Sequence, residues 1–202
     1  MAAILLVACA AACGRGGPPT PSKDGYRAVL VFSPEDRYAV AVRGESIRVE
    51  GDLEGSRLVK IARPDLGKIW QFRPETEKIL EIPWKPGDEV VPGYPLAPLF
   101  DPAAYADRFG GQIEQLGDAT HGLHPCELHR MTLPSGDRVI LWVARDLERL
   151  VVRIEHVKKP GDEHQPFSDI RLLDVKVGVK ADFFEPPQGF QRVKTYEELN
   201  RK

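Results

Sequence analysis

Residues 57–84 constrain the fold more than any other part of the chain. Their apolar side chains alternate with polar ones, as at Val59 and Ile61 and again at Trp70 and Phe72. A period of two residues is typical of β-strands. Two connections rich in Pro, Gly and acidic residues separate three such runs, and these residue types form tight turns. Strands joined so closely must be antiparallel, so the sequence predicts a three-stranded meander.

Similar alternating runs lie on both sides of the meander. We count about eleven strand candidates between Arg27 and Val179, with no internal repeat and no second domain boundary. One short helix is predicted at residues 103–109, with Asp101 as its N-cap and Gly110 as its terminator. The fold class is therefore mainly β with a minor α component, built on a single antiparallel sheet.

Composition narrows the possible functions. The 202 residues are 42% hydrophobic, which is enough for one domain with a sizeable core. A formal net charge of −2 argues against a nucleic-acid partner. No phosphate-binding loop and no serine nucleophile elbow occurs in the sequence, so we predict no catalytic residues, no enzyme activity and no cofactor.

The N-terminus indicates export and lipidation. An apolar run too short to span a bilayer is followed at once by Gly, Pro and Ser. The residues before Cys9 resemble a bacterial lipobox, and those before Cys13 also fit, so either cysteine is a candidate for acylation. We expect a lipoprotein of the cell envelope that faces the periplasm, in the outer rather than the inner membrane.

These features divide the chain into four predicted parts. Residues 1–12 are the signal peptide and lipobox, residues 13–24 a flexible linker, residues 25–194 the folded domain and residues 195–202 a charged tail.

Several short motifs, taken in order, resemble the LolA/LolB-like superfamily of bacterial envelope proteins, within it the branch of uncharacterised lipoproteins. They are IARPD at residues 61–65, KIW at 68–70, FRP at 72–74, LGD at 116–118, LWVARDL at 141–147 and FFEPPQGF at 183–190. The resemblance covers about residues 27–193. It implies a half-barrel, meaning one curved sheet that forms an incomplete β-barrel, whose concave apolar face is closed by one or two short helices and accommodates lipid or acyl chains.

The first functional hypothesis follows from this resemblance. It is a non-enzymatic, lipid-anchored envelope protein that binds a hydrophobic ligand, such as a lipid, an acyl chain or the lipidated end of another protein. Which alternating set of side chains faces inward stays open. Residues expected to line or close the cavity are Val59, Ile61, Trp70, Phe72, Leu80, Ile82, Tyr105 and Phe109.

Two alternatives remain. In the first, the half-barrel is an interaction or sensor module that recruits an envelope protein through a groove or sheet edge. The other alternative is a metal site at His121, His124, Cys126 and His129, because imidazole and thiolate are preferred ligands of Zn and Cu. Strand alternation after Pro125 allows at most three of the four to converge without a bulge.

Overall fold

The described residues form one long, curved, open sheet of twelve strands. The computed structural model describes residues 24–53, 56–85, 88, 90–91, 103, 106–107, 110–157 and 169–201. The strands are β1 (Tyr26–Val31), β2 (Arg37–Arg43), β3 (Ser46–Leu53), β4 (Ser56–Arg63), β5 (Lys68–Arg73), β6 (Lys78–Pro83), β7 (Gln112–His121), β8 (His124–Thr132), β9 (Arg138–Ala144), β10 (Leu150–His156), β11 (Asp169–Val177) and β12 (Gln191–Val193).

The strand order confirms the predicted fold class. It runs β12-β6-β5-β4-β3-β2-β1-β11-β10-β9-β8-β7, and every pairing is antiparallel except that of β12 with β6. The two ends of the sheet, β12 and β7, do not pair with each other, so the barrel is incomplete. No described helix is long and apolar enough to cross a membrane.

The predicted meander corresponds to β4, β5 and β6. Its two connections are single 3-10 turns, Pro64–Leu66 and Pro74–Thr76, each with proline at the first position. Gly67 and Glu77 follow these turns with φ of 63° and 50°, in the left-handed region. Proline presets φ for the first turn position and the left-handed residue reverses the chain, so these connections keep adjacent strands in register.

Alternation divides the side chains between two faces, which we call the Tyr26 face and the Trp70 face. The largest cluster of buried residues lies on the Tyr26 face and extends from β5 across the sheet to β8, where it includes Met131. Val90, Val91 and Ala106, from the connection between β6 and β7, pack into the same cluster. These three residues therefore cover part of the Tyr26 face.

The last part of the chain crosses from one face to the other. A 3-10 turn at Ala181–Phe184 packs on the Trp70 face, β12 then pairs with the edge of β6, and helix α1 (Tyr196–Asn200) follows. We expected only a charged tail after residue 194. Instead, Thr195 caps α1 by accepting a hydrogen bond from the Glu198 amide at 3.2 Å, and Leu199 is fully buried. Burial of this one leucine holds an otherwise charged segment on the sheet.

Other predicted elements fall partly outside the described residues. The predicted helix at 103–109 includes Tyr105 and Phe109, which lie outside them, as do Cys9 and Cys13. The predicted strand starting at Gln112 is longer than expected. It continues through a register shift between Gln115 and Gly117 as far as His121, because the bulge absorbs the extra residue that breaks the alternation.

Candidate functional site

A cavity of about 320 Å³ lies against the meander on the Tyr26 face, beside α1. Its size is at the lower end of the range of about 300–1,000 Å³ found for small-molecule sites. Apolar and charged side chains both line it. They are Lys60, Ile69, Ile82, Pro83, Lys85, Asp88 and Tyr196.

The strand register explains the apolar part of the wall. Ile69 of β5 lies directly opposite Ile82 of β6, so the two side chains are cross-strand neighbours on one face. Lys60 of β4 pairs with Gln71 of β5 and lies on the same face as these isoleucines. An apolar pair and a cation are therefore neighbours on three adjacent strands.

A turn after β6 supplies the second charged part of the wall. The Asp88 amide donates to the Lys85 carbonyl at 3.0 Å, and the Lys85 amide donates to Asp88 Oδ2 at 2.7 Å. The Trp84 amide donates to the Gly67 carbonyl at 2.9 Å, which attaches this turn to the connection between β4 and β5. These bonds fix the backbone from which Lys85 and Asp88 reach the cavity.

Helix α1 closes the cavity from the side of the sheet edge. Its first residue, Tyr196, lines the cavity while remaining 47% exposed. The helix is held by Arg73 Nε, which donates to Asn200 Oδ1 at 3.0 Å, and by Lys78 Nζ, which donates to the Arg201 carbonyl at 2.5 Å. Arg73 is itself buried on the Tyr26 face, so its charge-assisted bond fixes the helix firmly.

The predicted cavity residues divide between the two faces. Leu80 and Ile82 lie on the Tyr26 face, and of these Ile82 lines the cavity. A second set, on the Trp70 face, does not line it, because it is buried in the cluster that contains Phe184. The members of this set are Val59, Ile61, Trp70 and Phe72.

Contacts from β2, β3 and β4 hold the C-terminal segment on the Trp70 face. Arg43 donates to the Val179 carbonyl at 3.1 Å, and Arg48 donates to the Phe183 carbonyl at 3.2 Å. Arg63 forms an ion pair with Glu185 at 2.6 Å. Protein side chains therefore cover the hydrophobic surface of the Trp70 face at the meander.

The structure does not form a metal site from the His and Cys cluster. Among the described residues, no group of three or more His, Cys, Asp or Glu side chains is arranged to hold a metal ion. His129 lies on the opposite face of β8 from Cys126, and its Nε2 is 3.3 Å from Glu127 Oε2. His124 Nδ1 is 2.9 Å from Asp146 Oδ2 instead.

Burial of Cys126 also disfavours a metal, whereas burial of His121 favours the neutral imidazole that a metal would bind. Burial raises the pKa of the Cys126 thiol, and the thiolate is the form that binds metals. Burial lowers the pKa of His121, whose ring packs against Trp142 with centroids 6.2 Å apart. These side chains serve as packing residues at the β7–β8 hairpin.

Sequence reasoning missed most of the cavity wall. Lys60 was a detectable signal, because it interrupts an apolar set on one face of β4 between Leu58 and Ala62. Lys85 and Asp88 had no such signal, since they follow a strand in a region rich in proline. Tyr196 was assigned to the tail.

Comparisons with known proteins give the fold. No protein-family model matches the chain, and no curated protein matches its sequence. An uncharacterised conserved protein from Thermus thermophilus is 10% identical, with 86% of this chain and 91% of that chain covered and a TM-score of 0.53. MucB is 13% identical with a TM-score of 0.52, and the match covers 84% of this chain and 59% of MucB. A LolA superfamily protein from Nitrosomonas europaea is 11% identical, with coverages of 84% and 93% and a TM-score of 0.34.

The chain shares its fold with the Thermus thermophilus protein and with part of MucB. The resemblance of the short motifs to the LolA/LolB-like superfamily stays a prediction. Because the chain spans only 59% of MucB, and identities are low, the likeness concerns the fold alone.

Proposed function

We propose that the chain is a non-enzymatic envelope protein that binds a hydrophobic ligand on the Tyr26 face. The ligand would be a lipid, an acyl chain or the lipidated end of another protein. The observation that carries this proposal is the cavity of about 320 Å³ against Ile69 and Ile82. A ligand methylene that is fully removed from water here would contribute about 0.8 kcal/mol.

Two features of the sheet support the choice of face. The Trp70 face is covered at the meander by Phe184 and its neighbours, so a ligand would have to displace packed aromatic side chains there. The Tyr26 face, by contrast, keeps space between the sheet, the turn at Lys85 and helix α1. Ligand binding on this face needs no rearrangement of the core.

Membrane attachment forms part of the same proposal. Acylation of Cys9, ahead of the predicted flexible linker, or of Cys13, its first residue, would tether the domain to the periplasmic side of the outer membrane. A tethered domain with a lipid-binding face could take up or present acyl chains close to the bilayer.

Filling the cavity tests the proposal. Purification without detergent, followed by native mass spectrometry and lipid extraction, should reveal a bound amphiphile, and the neutral fluorescent probe N-phenyl-1-naphthylamine should bind. Ile82→Trp places a large ring in the cavity and should weaken probe binding by at least tenfold. Leu66→Trp adds the same ring at an exposed turn and should leave binding unchanged. A protein that neither carries a lipid nor binds the probe would contradict the proposal.

A second candidate function, a protein-interaction module, is favoured by strand β7. This ten-residue strand is the end of the sheet, and its outer edge pairs with no other described strand. Ile113 and Leu116 on it are 38% and 44% exposed. An unpaired edge can accept an extended segment of another envelope protein.

Its test is a pull-down from envelope extracts that survives delipidation. Ile113→Lys, which places a charge on the edge strand, should abolish capture of the partner without reducing probe binding in the cavity. Capture that persists in Ile113→Lys would exclude this edge.

A further inference from the structure

We propose that one end of the sheet is the surface that contacts the bilayer, through exposed leucine and valine side chains that enter the lipid. This inference rests on the membrane attachment in the proposed function and specifies which surface meets the membrane. We call this end the Leu123 rim. It is defined by the β4–β5 turn at Leu66, the β7–β8 turn at Leu123 and the end of β11 at Val177.

The strand register places these three residues at the same end of the sheet. Tyr26, at the start of β1, pairs with Val177 on one side and with Val42, near the end of β2, on the other. The antiparallel order through β3 and β4 brings this end of the sheet to Leu66. In the other direction, the order through β10, β9 and β8 brings it to Leu123. Residues that are far apart in the chain therefore share one rim.

Exposed apolar side chains distinguish this rim from the rest of the described chain. Leu123 is 94% exposed, Val177 53% and Leu66 49%, and these are the three most exposed large hydrophobic side chains among the described residues. Apolar side chains stabilise a fold through burial, so side chains left this exposed contribute little to it. Single exposed apolar residues are ordinary on a protein surface, but the three most exposed ones on one rim indicate a shared contact.

The β7–β8 turn presents Leu123 at a fixed position. Gly122 and Leu123 form a two-residue turn in which Gly122 has φ of 60°, and His121 pairs with His124 across it. The His121 ring packs on β9, and His124 Nδ1 is 2.9 Å from Asp146 Oδ2 in the turn after β9. Contacts on both sides of the turn therefore hold the tip, while the leucine itself extends into solvent.

The predicted linker and the cavity lie at the same rim. The linker joins the domain here, because Asp24 and Gly25 directly precede β1. Their carbonyls accept hydrogen bonds from the amides of Val179 and Gly178 at 2.7 and 2.9 Å, which fixes this entry point. The cavity wall reaches this rim as well, since Pro83, which lines the cavity, pairs with the first residue of β5. The attachment point of the predicted anchor, the cavity and the exposed apolar side chains are therefore on one side of the domain.

A lipid bilayer is the partner that fits these observations. The exposed side chains lie on three separate elements, and a lipid interface accepts isolated apolar groups without the shape complementarity that a protein partner needs. An acylated cysteine would keep the rim at a high local concentration near the surface, so weak insertion by a few side chains is enough to orient the domain. In this orientation the cavity lies beside the lipid from which an acyl chain would enter.

Fluorescence quenching locates the rim relative to the bilayer. The full 202-residue chain, with Cys9→Ser and Cys13→Ser to prevent acylation, is mixed with vesicles of phosphatidylcholine brominated in its acyl chains. We expect these vesicles to quench the emission added by Leu123→Trp. They should not quench the emission added by Ile113→Trp, near the opposite end of the same strand pair. A ten-residue strand spans about 30 Å, whereas interfacial insertion reaches only about 5–10 Å.

Serine variants show whether these side chains contribute to binding. In the same unacylated background, Leu123→Ser should weaken partitioning onto phosphatidylcholine vesicles about tenfold, because the most exposed apolar side chain no longer inserts. Leu66→Ser should weaken it about threefold. Ile113→Ser removes an exposed apolar side chain at the opposite end of the sheet and, as the matched control, should leave partitioning unchanged.

The outcomes separate this inference from the proposed function. Equal quenching at positions 113 and 123, equal partitioning of Leu123→Ser and Ile113→Ser, or a parent chain that does not bind the vesicles would each overturn the assignment of the Leu123 rim. Binding of N-phenyl-1-naphthylamine in solution reports the cavity separately and should be the same in Leu123→Ser as in the parent chain. A parent chain that inserts the rim but does not bind this probe would contradict the hydrophobic ligand site while supporting the membrane contact.

Discussion

Replacement of Phe184 tests how the Trp70 face is covered. Phe184 is only 1% exposed and packs in the cluster formed by Val59, Ile61, Trp70 and Phe72. If the C-terminal segment is an integral part of the domain, Phe184→Ala must open a cavity beneath the 3-10 turn. If the segment is loosely attached, Phe184→Ala will reduce the free energy of unfolding only slightly.

The expected magnitude follows from this burial. Fully buried phenylalanine replaced by alanine costs about 3–5 kcal/mol, through lost transfer free energy and the remaining cavity. Whole domains are stable by about 5–15 kcal/mol, so the variant should lose a large fraction of its stability. Phe183 is half-buried, and the guanidinium carbon of Arg48 lies 4.5 Å from the centroid of its ring. Phe183→Ala should lower the free energy of unfolding by about 1–2 kcal/mol.

Urea unfolding followed by circular dichroism provides the assay. With a slope of about 2–3 kcal/mol per molar urea, Phe184→Ala should shift the midpoint down by about 1–2.5 M. Leu66→Ala, at a half-exposed turn position, should stay within about 0.5 kcal/mol of the parent. A Phe184→Ala midpoint equal to that of Leu66→Ala would refute the packing of this segment on the Trp70 face.

Three further predictions concern α1, the β8 charge cluster and the metal alternative. Leu199→Ala should lower the free energy of unfolding by about 2–5 kcal/mol in the same urea assay, and a loss under about 1 kcal/mol would show that α1 does not pack on the sheet. Although burial raises the pKa of Glu127, the hydrogen bond from His129 and the ion pair with Arg149 hold it below its ordinary 4.5. The stability that the Glu127 carboxylate contributes is therefore present above pH 4.5 and is lost as the pH falls through the lowered pKa of the folded state. Glu127→Gln should flatten the acid side of a curve of unfolding free energy against pH. An acid side unchanged by the substitution would contradict this. Zinc titration should give no stoichiometric uptake, and uptake abolished by His124→Ala would restore the metal hypothesis.

The strands were predictable because their signal is local. Alternation at Val59 and Ile61 and at Trp70 and Phe72 indicates strands whichever face is buried. The proline-containing turns set the antiparallel order of β4, β5 and β6. One curved sheet followed from the number of these strands and from the resemblance of the short motifs.

The face of the sheet on which the cavity lies was not predictable. Alternation along a strand separates its side chains into two sets, but it does not indicate which other part of the chain packs on each set. The segment that covers the Trp70 face lies more than a hundred residues further along the chain, at Phe184. Strand β12 has only three residues and pairs in parallel with β6, so it has no alternation long enough to detect.

Helix α1 carries a local signal in the sequence. Thr195 followed three residues later by Glu198 is the pattern of a capping box. In the structure Thr195 Oγ1 accepts from the Glu198 amide, while the Glu198 carboxylate accepts from the amide of Lys194, one residue before the cap. The single buried leucine in a charged sequence obscured it. Recognition of this cap would have moved Tyr196 from the predicted tail to a helix beside the sheet.

The location of a bound acyl chain tests the central claim most directly. With the isoleucine methyl groups labelled for nuclear magnetic resonance, decanoate should give intermolecular NOEs to Ile69 and Ile82 on the Tyr26 face. Ile61 and Ile79, which are buried on the Trp70 face, should give none. NOEs to Ile61 or Ile79, or the absence of any NOE at saturating decanoate, would contradict a hydrophobic ligand site in this cavity.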